Sequence, residues 1–109
     1  MLKLYDEQSR ELRPFQPLKE HATIYVCGIT PYDTTHLGHA FTYLSYDVLV
    51  RYWEYLGYKV RYVQNVTDID DDTIRKAGQV GTDWLSLGNH WTRHFIEDMI
   101  ALNVRPPDV

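Results

Sequence analysis

Residues 23–66 read TIYVCGITPYDTTHLGHAFTYLSYDVLVRYWEYLGYKVRYVQNV. Thr23-Ile24-Tyr25-Val26-Cys27 is β-branched and aromatic with almost no polar relief, the pattern of a short strand buried on both faces, as in parallel sheets. Gly28 ends it. Ile29 to Thr35 is a turn region in which the Thr34 and Thr35 side chains can cap a helix opening at about His36. Along that helix Leu37, Phe41, Leu44, Val48, Tyr52 and Tyr55 recur at steps of three and four. Asp47, Arg51 and Glu54 fall on another face, Asp47 and Arg51 at the i,i+4 spacing of an ion pair. Gly57 supplies the stop, and Tyr58 to Val66 reads as a second strand. Strand, crossover helix and strand make one βαβ unit of the usual right hand, so the fold class expected is α/β with parallel strands.

Working outward, residues 1–21 mix short apolar stretches with Pro14, Phe15 and Pro17, which suits an extended arm lying on a core. Residues 22–68 hold the βαβ unit, and 69–109 form a helical segment. Thr67 to Asp72 begins a helix whose carboxylates suit the positive end of its dipole, and Gly78 and Gly81 break it. Thr82 is placed to cap a last helix in which Trp84, Trp91, Phe95, Met99 and Leu102 keep one apolar stripe, ended by Arg105-Pro106-Pro107. No internal repeat or low-complexity tract occurs. Two parallel strands are too few for a closed sheet and normally require further strands and helices.

The chain has 109 residues, 15 acidic and 11 basic side chains, a formal charge of −4, 44% apolar residues and 14% aromatic ones. One small domain with a packed core follows. Net acidity argues against a polyanion clamp, which needs clustered Lys and Arg. There is no run of about 18 apolar residues, and the start MLKLYDEQSR lacks the layout of a secretory signal. The expectation is a soluble cytoplasmic protein without a membrane partner. The single Cys27 makes no internal disulfide and is a candidate nucleophile, metal ligand or small buried apolar group.

The densest feature is CGITPYDTTHLGH, Cys27 to His39, leading from the first strand into the helix. In open α/β sheets ligands bind at that carboxyl edge. His36 and His39 lie three apart and project from one helix face, and Gly38 between them removes a side chain that would block a ligand. Free N–H groups at a helix start attract phosphate, and two imidazoles can donate to phosphate oxygens whose charge grows in a transition state. Each residue also has a plain structural reading: the two histidines as surface groups, Cys27 as packing. Joining Cys27, His36 and His39 as a zinc site leaves three ligands where structural sites use four.

His36-Leu37-Gly38-His39 resembles the HIGH signature of class I aminoacyl-tRNA synthetases. Tyr25 to Thr30 looks like the strand and turn that hold a substrate cysteine, and Val63 to Asp71 looks like the segment after the second strand. Together they resemble the cysteine-activating branch, namely cysteinyl-tRNA synthetase and the related cysteine ligase of mycothiol biosynthesis. The resemblance spans essentially the whole chain as the N-terminal part of a Rossmann-like HIGH-type nucleotidyl-transferase catalytic domain. It implies adenylation of L-cysteine by ATP with Mg2+, then transfer of the cysteinyl group to tRNA-Cys or to a small aminosugar acceptor, without a covalent enzyme nucleophile. By the family pattern Cys27 is a ligand of Zn2+ that holds the substrate thiolate, which separates cysteine from serine better than shape does. Gly28, Ile29 and Thr30 would line the aminoacyl group. His36, Gly38 and His39 would meet ATP, and Thr42, Asn65, Val66 and Thr67 the adenylate.

The same resemblance implies that the other zinc ligands and a Lys-Met-Ser-Lys-Ser loop come from the C-terminal half of the catalytic domain, which the enzyme needs. His90 and His94 lie i,i+4 beside Trp91 and read as packing. Asp70-Asp71-Asp72 reads as a solvated helix start, with magnesium as the minor alternative. Ala40-Phe41-Thr42, the Thr30 to Thr35 lead-in, Trp84 to Gly88 and Pro106-Pro107 lean toward the aminosugar branch, while tRNA charging stays the leading family function. A non-catalytic module that binds nucleotide or a partner is the reading of a different class.

Overall fold

In the computed structural model, which describes residues 1–109, the two strands of the central unit are hydrogen-bonded in parallel. They are β3 (His21–Val26) and β4 (Lys59–Gln64), with Ala22 opposite Val60, Ile24 opposite Tyr62 and Val26 opposite Gln64. N-terminal to them lie β1 (Lys3–Asp6) and β2 (Glu11–Pro14). Parallel neighbours require a crossover, and α1 (Leu37–Tyr55) supplies it. Alternation along the strands puts Ala22, Ile24, Val26, Val60 and Tyr62 on one face. Tyr43 and Val50 of α1 close on that face with Phe95 and Met99 of α3 (Trp84–Ala101), forming the core around Val26, Ile29 and Tyr62.

The opposite face carries no layer. Thr23, Tyr25 and Arg61 lie exposed there, so β3 is buried on one face and not on the two that its apolar run predicts. α2 (Asp71–Val80) and α3 form the second crossover. It leads to Asp108 and Val109, which run beside the outer edge of β4 in the same direction. The Asp108 amide donates to the Tyr62 carbonyl at 2.7 Å, and the Gln64 amide donates to the Val109 carbonyl at 3.0 Å. The Asp108 carboxylate in turn accepts from the Tyr62 amide at 2.7 Å, which holds that carboxyl below its ordinary range, with the Arg105 guanidinium contributing less. Across the sheet the order is therefore β3, β4, tail, the β-α-β-α-β half of a doubly wound arrangement.

Four local expectations change. The inward side of α1 is Tyr43, Asp47, Val50 and Trp53; of the expected stripe Leu37, Phe41, Val48, Tyr52 and Tyr55 face solvent and Leu44 is half-buried. Asp47 tolerates burial because its carboxylate is saturated: the Arg51 Nε and the Arg105 amide each donate to it at 2.7 Å. Periodicity alone ranks faces by apolar count and does not see a carboxylate satisfied by a distant backbone. The cap of α1 is His36 and not Thr34 or Thr35. Gly78 lies inside α2, and only Gly81, at φ +74°, ends it. Asp83 and not Thr82 caps α3, its carboxylate accepting from the Ser86 amide at 2.9 Å.

Residues 1–21 are extended but double back. β1 and β2 pair antiparallel, Lys3 opposite Pro14. Asp6 organises the turn by accepting from the Gln8 amide and the Ser9 hydroxyl, at 3.2 and 2.8 Å. Phe15 then stacks on Trp53 with ring centroids 4.5 Å apart and meets Tyr58 edge-on, which pins the hairpin to the end of α1.

Candidate functional site at the carboxyl end of β3

The carboxyl ends of β3 and β4 are held close together at Gly28. Its amide donates to Asn65 Oδ1 at 2.7 Å, and the Thr67 amide donates to the Ile29 carbonyl at 3.0 Å. A Cβ on Gly28 would overlap the Asn65 carbonyl oxygen, so no other residue fits without parting the two chains. The Tyr43 hydroxyl donates to the Cys27 carbonyl at 3.1 Å, tying α1 to the same turn. Burial, with smaller effects from Tyr62 and Cys27, pushes the Tyr43 phenol up to about 12, so it stays a donor.

At the start of α1 the two histidines cap the helix reciprocally. His36 Nδ1 accepts from the Gly38 amide at 3.0 Å, and His39 Nδ1 accepts from the His36 amide at 3.3 Å. The rings stack with centroids 3.9 Å apart and planes 19° from parallel. Gly38 permits this fold-back, since a Cβ there would stand 2.8 Å from His36 Cε1. Both Nδ1 atoms accept, so in the neutral rings the proton sits on Nε2, the atom left to donate outward. Burial first, and the charge of His36 second, hold His39 below its ordinary value of 6.5.

These groups line an open cleft of about 610 Å³ bounded by Gly28, Ile29, Thr30, Tyr32, Asp33, Thr34, His36, His39, Tyr43 and Asp72. Of the residues named from sequence, the structure brings Gly28, Ile29, Thr30, His36 and His39 together there. Gly38 sits behind the rings. Thr42 turns back along the helix, donating to the Gly38 carbonyl at 3.0 Å. Asn65 and Thr67 brace the turn from β4, and Val66 lines a separate apolar groove with Phe95 and Met99. Cys27 is exposed at the strand end.

Tyr32, Asp33, Thr34, Tyr43 and Asp72 also line the cleft, a place the sequence reading gave to none of them. Tyr43 was detectable, lying four residues after His39 on one helix face. Asp72 and the Asp33–Lys76 pair were not, because they depend on α2 packing back against the loop. Lys76 Nζ donates to Asp33 at 3.0 Å, and that bond is the main reason the Asp33 carboxyl lies below its ordinary value.

No three His, Cys, Asp or Glu side chains come together to hold a metal. Cys27, His36 and His39 therefore do not make a zinc site, and the chain offers one thiolate toward any such ion. Asp70 caps α2, accepting from the Thr73 amide and hydroxyl at 2.8 Å each, and Asp72 pairs with Arg75, as a helix start does. His90 and His94 touch each other and Trp91 through their rings. No helix is long and apolar enough to cross a membrane.

Parallel strands joined by helical crossovers, with the cleft at their carboxyl edge, define a Rossmann-like α/β catalytic domain of which the N-terminal portion is present. Residues 14–109 match the family described as the tRNA synthetases class I (C) catalytic domain, and the chain belongs to that family. Among curated proteins it is similar to the L-cysteine:1D-myo-inositol 2-amino-2-deoxy-alpha-D-glucopyranoside ligase of Rhodococcus erythropolis, 56% identical over 106 residues, 97% of this chain and 25% of that protein. The ligase of the same name from Mycolicibacterium smegmatis is 54% identical, over 97% of this chain and 26% of its own length. The chain thus spans about a quarter of the length of the curated relatives it matches. Among solved structures, Mycobacterium tuberculosis methionyl-tRNA synthetase in complex with methionyl-adenylate superposes with a TM-score of 0.70 at 24% identity, over 75% of this chain and 16% of that one, a likeness of fold.

Proposed function

We propose that this chain forms the ATP- and cysteine-contacting part of a cytoplasmic ligase that activates cysteine as its adenylate and passes the cysteinyl group to an aminosugar amine. The observation that carries the reading is the reciprocal His36–His39 cap, which leaves two Nε2 donors at the positive end of a 19-residue helix beside a cleft floored by Gly28 to Thr30. In the first step a cysteine carboxylate oxygen bonds to the α-phosphorus of ATP, and the bond to the bridging oxygen breaks. Pyrophosphate leaves with the electron pair. The helix N-terminus and the imidazoles stabilise charge growing on the phosphate oxygens. In the second step the acceptor amine attacks the carbonyl carbon, AMP leaves and the amine loses a proton.

Within this scheme His36 and His39 are the catalytic residues. Gly28, Ile29 and Thr30 hold the aminoacyl group, Asn65 and Thr67 brace the turn beneath it, and Thr42, held on the Gly38 carbonyl, and Val66, in the separate groove, would reach the adenylate only if they turn toward the cleft. ATP is used with Mg2+. Cys27 would supply one Zn2+ ligand holding the substrate thiol, and the remaining ligands would come from the part of the relatives' length not spanned here. The names of the relatives at 52–56% identity support the aminosugar acceptor over tRNA-Cys.

The test is cysteine-dependent ATP–pyrophosphate exchange by this chain joined to the remaining segment of the Mycolicibacterium smegmatis relative. His39→Ala should slow exchange by about 100-fold, from roughly 3 kcal/mol of lost transition-state stabilisation, with cysteine affinity little changed. Cys27→Ala should weaken selection of cysteine over serine. Exchange absent from a folded, complete enzyme ends the reading, and product formed on tRNA-Cys and not on the aminosugar replaces the acceptor.

A further inference from the structure

A single peptide unit just past the end of β3 is gripped at both ends by side chains. Between Cys27 and Gly28 the carbonyl accepts from the Tyr43 hydroxyl at 3.1 Å, and the amide donates to Asn65 Oδ1 at 2.7 Å. One group comes from α1 and the other from the segment after β4. Rotation of that plane is at once ψ of Cys27 and φ of Gly28. The two bonds therefore fix the direction in which the Cys27 side chain leaves the backbone relative to the floor of the cleft.

The plane needs such a grip because of the residue that follows it. Gly28 is imposed by the Asn65 carbonyl oxygen, which leaves no room for a Cβ, yet glycine has the widest choice of backbone angles. The ladder with β4 stops at Val26, one residue short of the plane. Tyr43 supplies what phenylalanine would not. Its ring is 3% exposed and meets Phe95 edge-on with centroids 5.1 Å apart, and a phenol so buried is costly unless its hydroxyl has a partner. It also stands one turn beyond His39 on the same helix face, about 6 Å along the axis. One rigid helix thus carries both the imidazole cap and the hold on the Cys27 turn.

We propose that Tyr43 is a positioning residue for cysteine: through the Cys27–Gly28 peptide it preorganises the aminoacyl side of the cleft. This role rests on the proposed activation of cysteine and divides that work between two residues one turn apart. His39 meets the phosphate, whereas Tyr43 acts through the turn. With the hydroxyl gone, the plane holds its competent orientation only part of the time, and apparent affinity falls by that fraction while the bound complex reacts as before.

Tyr43→Phe removes the hydroxyl and keeps the ring. In this chain joined to the remaining segment of the Mycolicibacterium smegmatis relative, loss of one net hydrogen bond should raise the KM for cysteine in ATP–pyrophosphate exchange about tenfold, with kcat and the KM for ATP within about twofold. That is the reverse of the split expected for His39→Ala. On the 109-residue chain alone, amide exchange at Gly28 should quicken at least about fivefold while Val50, buried in the middle of α1, keeps its rate. Tyr46→Phe, which removes a 39% exposed phenol hydroxyl from the same helix, should change neither readout. The role is overturned if Gly28 exchange in Tyr43→Phe matches wild type, if both KM values rise together, or if kcat alone falls. A complete enzyme without cysteine-dependent exchange overturns the function, and the Gly28 amide still decides whether Tyr43 holds the turn.

Discussion

Replacing Gly28 by alanine tests the geometry that joins the two strands to the cleft. The new methyl carbon overlaps the Asn65 carbonyl oxygen, a backbone atom that cannot rotate away, so the ends of β3 and β4 must part. Parting them strains or breaks the Gly28–Asn65 bond of 2.7 Å and the Thr67–Ile29 bond of 3.0 Å. At about 1 kcal/mol net for each bond and about 1–3 kcal/mol for overpacking, the loss is about 3–5 kcal/mol. That is a large share of the roughly 5–15 kcal/mol a small domain possesses. With a urea slope of about 1.5 kcal/mol/M, the midpoint should drop by about 2–3 M, read by tryptophan fluorescence and circular dichroism together. An alanine variant within about 0.5 M of wild type at an unchanged slope would refute the argument, since it would mean the turn relaxes without cost.

Gly78→Ala should move stability the other way, by about 0.5–1 kcal/mol, because this glycine sits inside α2 with nothing near its absent Cβ; a lower urea midpoint contradicts that. Asp47→Ala should cost on the order of 2–3 kcal/mol by orphaning the Arg105 amide and Arg51, and amide exchange at Arg105 should accelerate; unchanged exchange there would show that the carboxylate does not anchor the tail. For His39, a folded value below 6.5 means the unfolded chain binds the proton first as pH falls. Its contribution to stability is level above pH 6.5 and declines below it. The urea midpoint should therefore be lower at pH 5.5 than at 7.5, by less in His39→Gln, and an equal difference in both proteins would assign the effect elsewhere.

The βαβ unit was readable because its signals are local: a β-branched run, a period near 3.6, then alternation. The His36-x-x-His39 pair and Gly28 were readable for the same reason, each lying next to the strand or helix end that gives it meaning. What escaped depends on groups far apart in the chain. The inward face of α1 is decided by Asp47 meeting Arg105, 58 positions on, and the wall of the cleft by Lys76 reaching Asp33 across 43. The reversal of residues 1–21 into a hairpin hinges on one aspartate organising a turn. The helix caps moved by a residue because His36 and Asp83 competed with neighbouring threonines that cap equally well in principle.

The reciprocal cap of His36 and His39 gives the first turn of α1 two employers. The imidazoles that start the coil are the same ones offered to an incoming anion, so occupancy and nucleation are thermodynamically linked. An anion that gathers the Nε2 protons would slow amide exchange at Leu37 to Ala40, and any variant that unravels that turn would weaken the anion by the same factor. Alanine replacement of either ring therefore reports a composite, and only a comparison with a variant that restores the cap through another acceptor separates contact from scaffold.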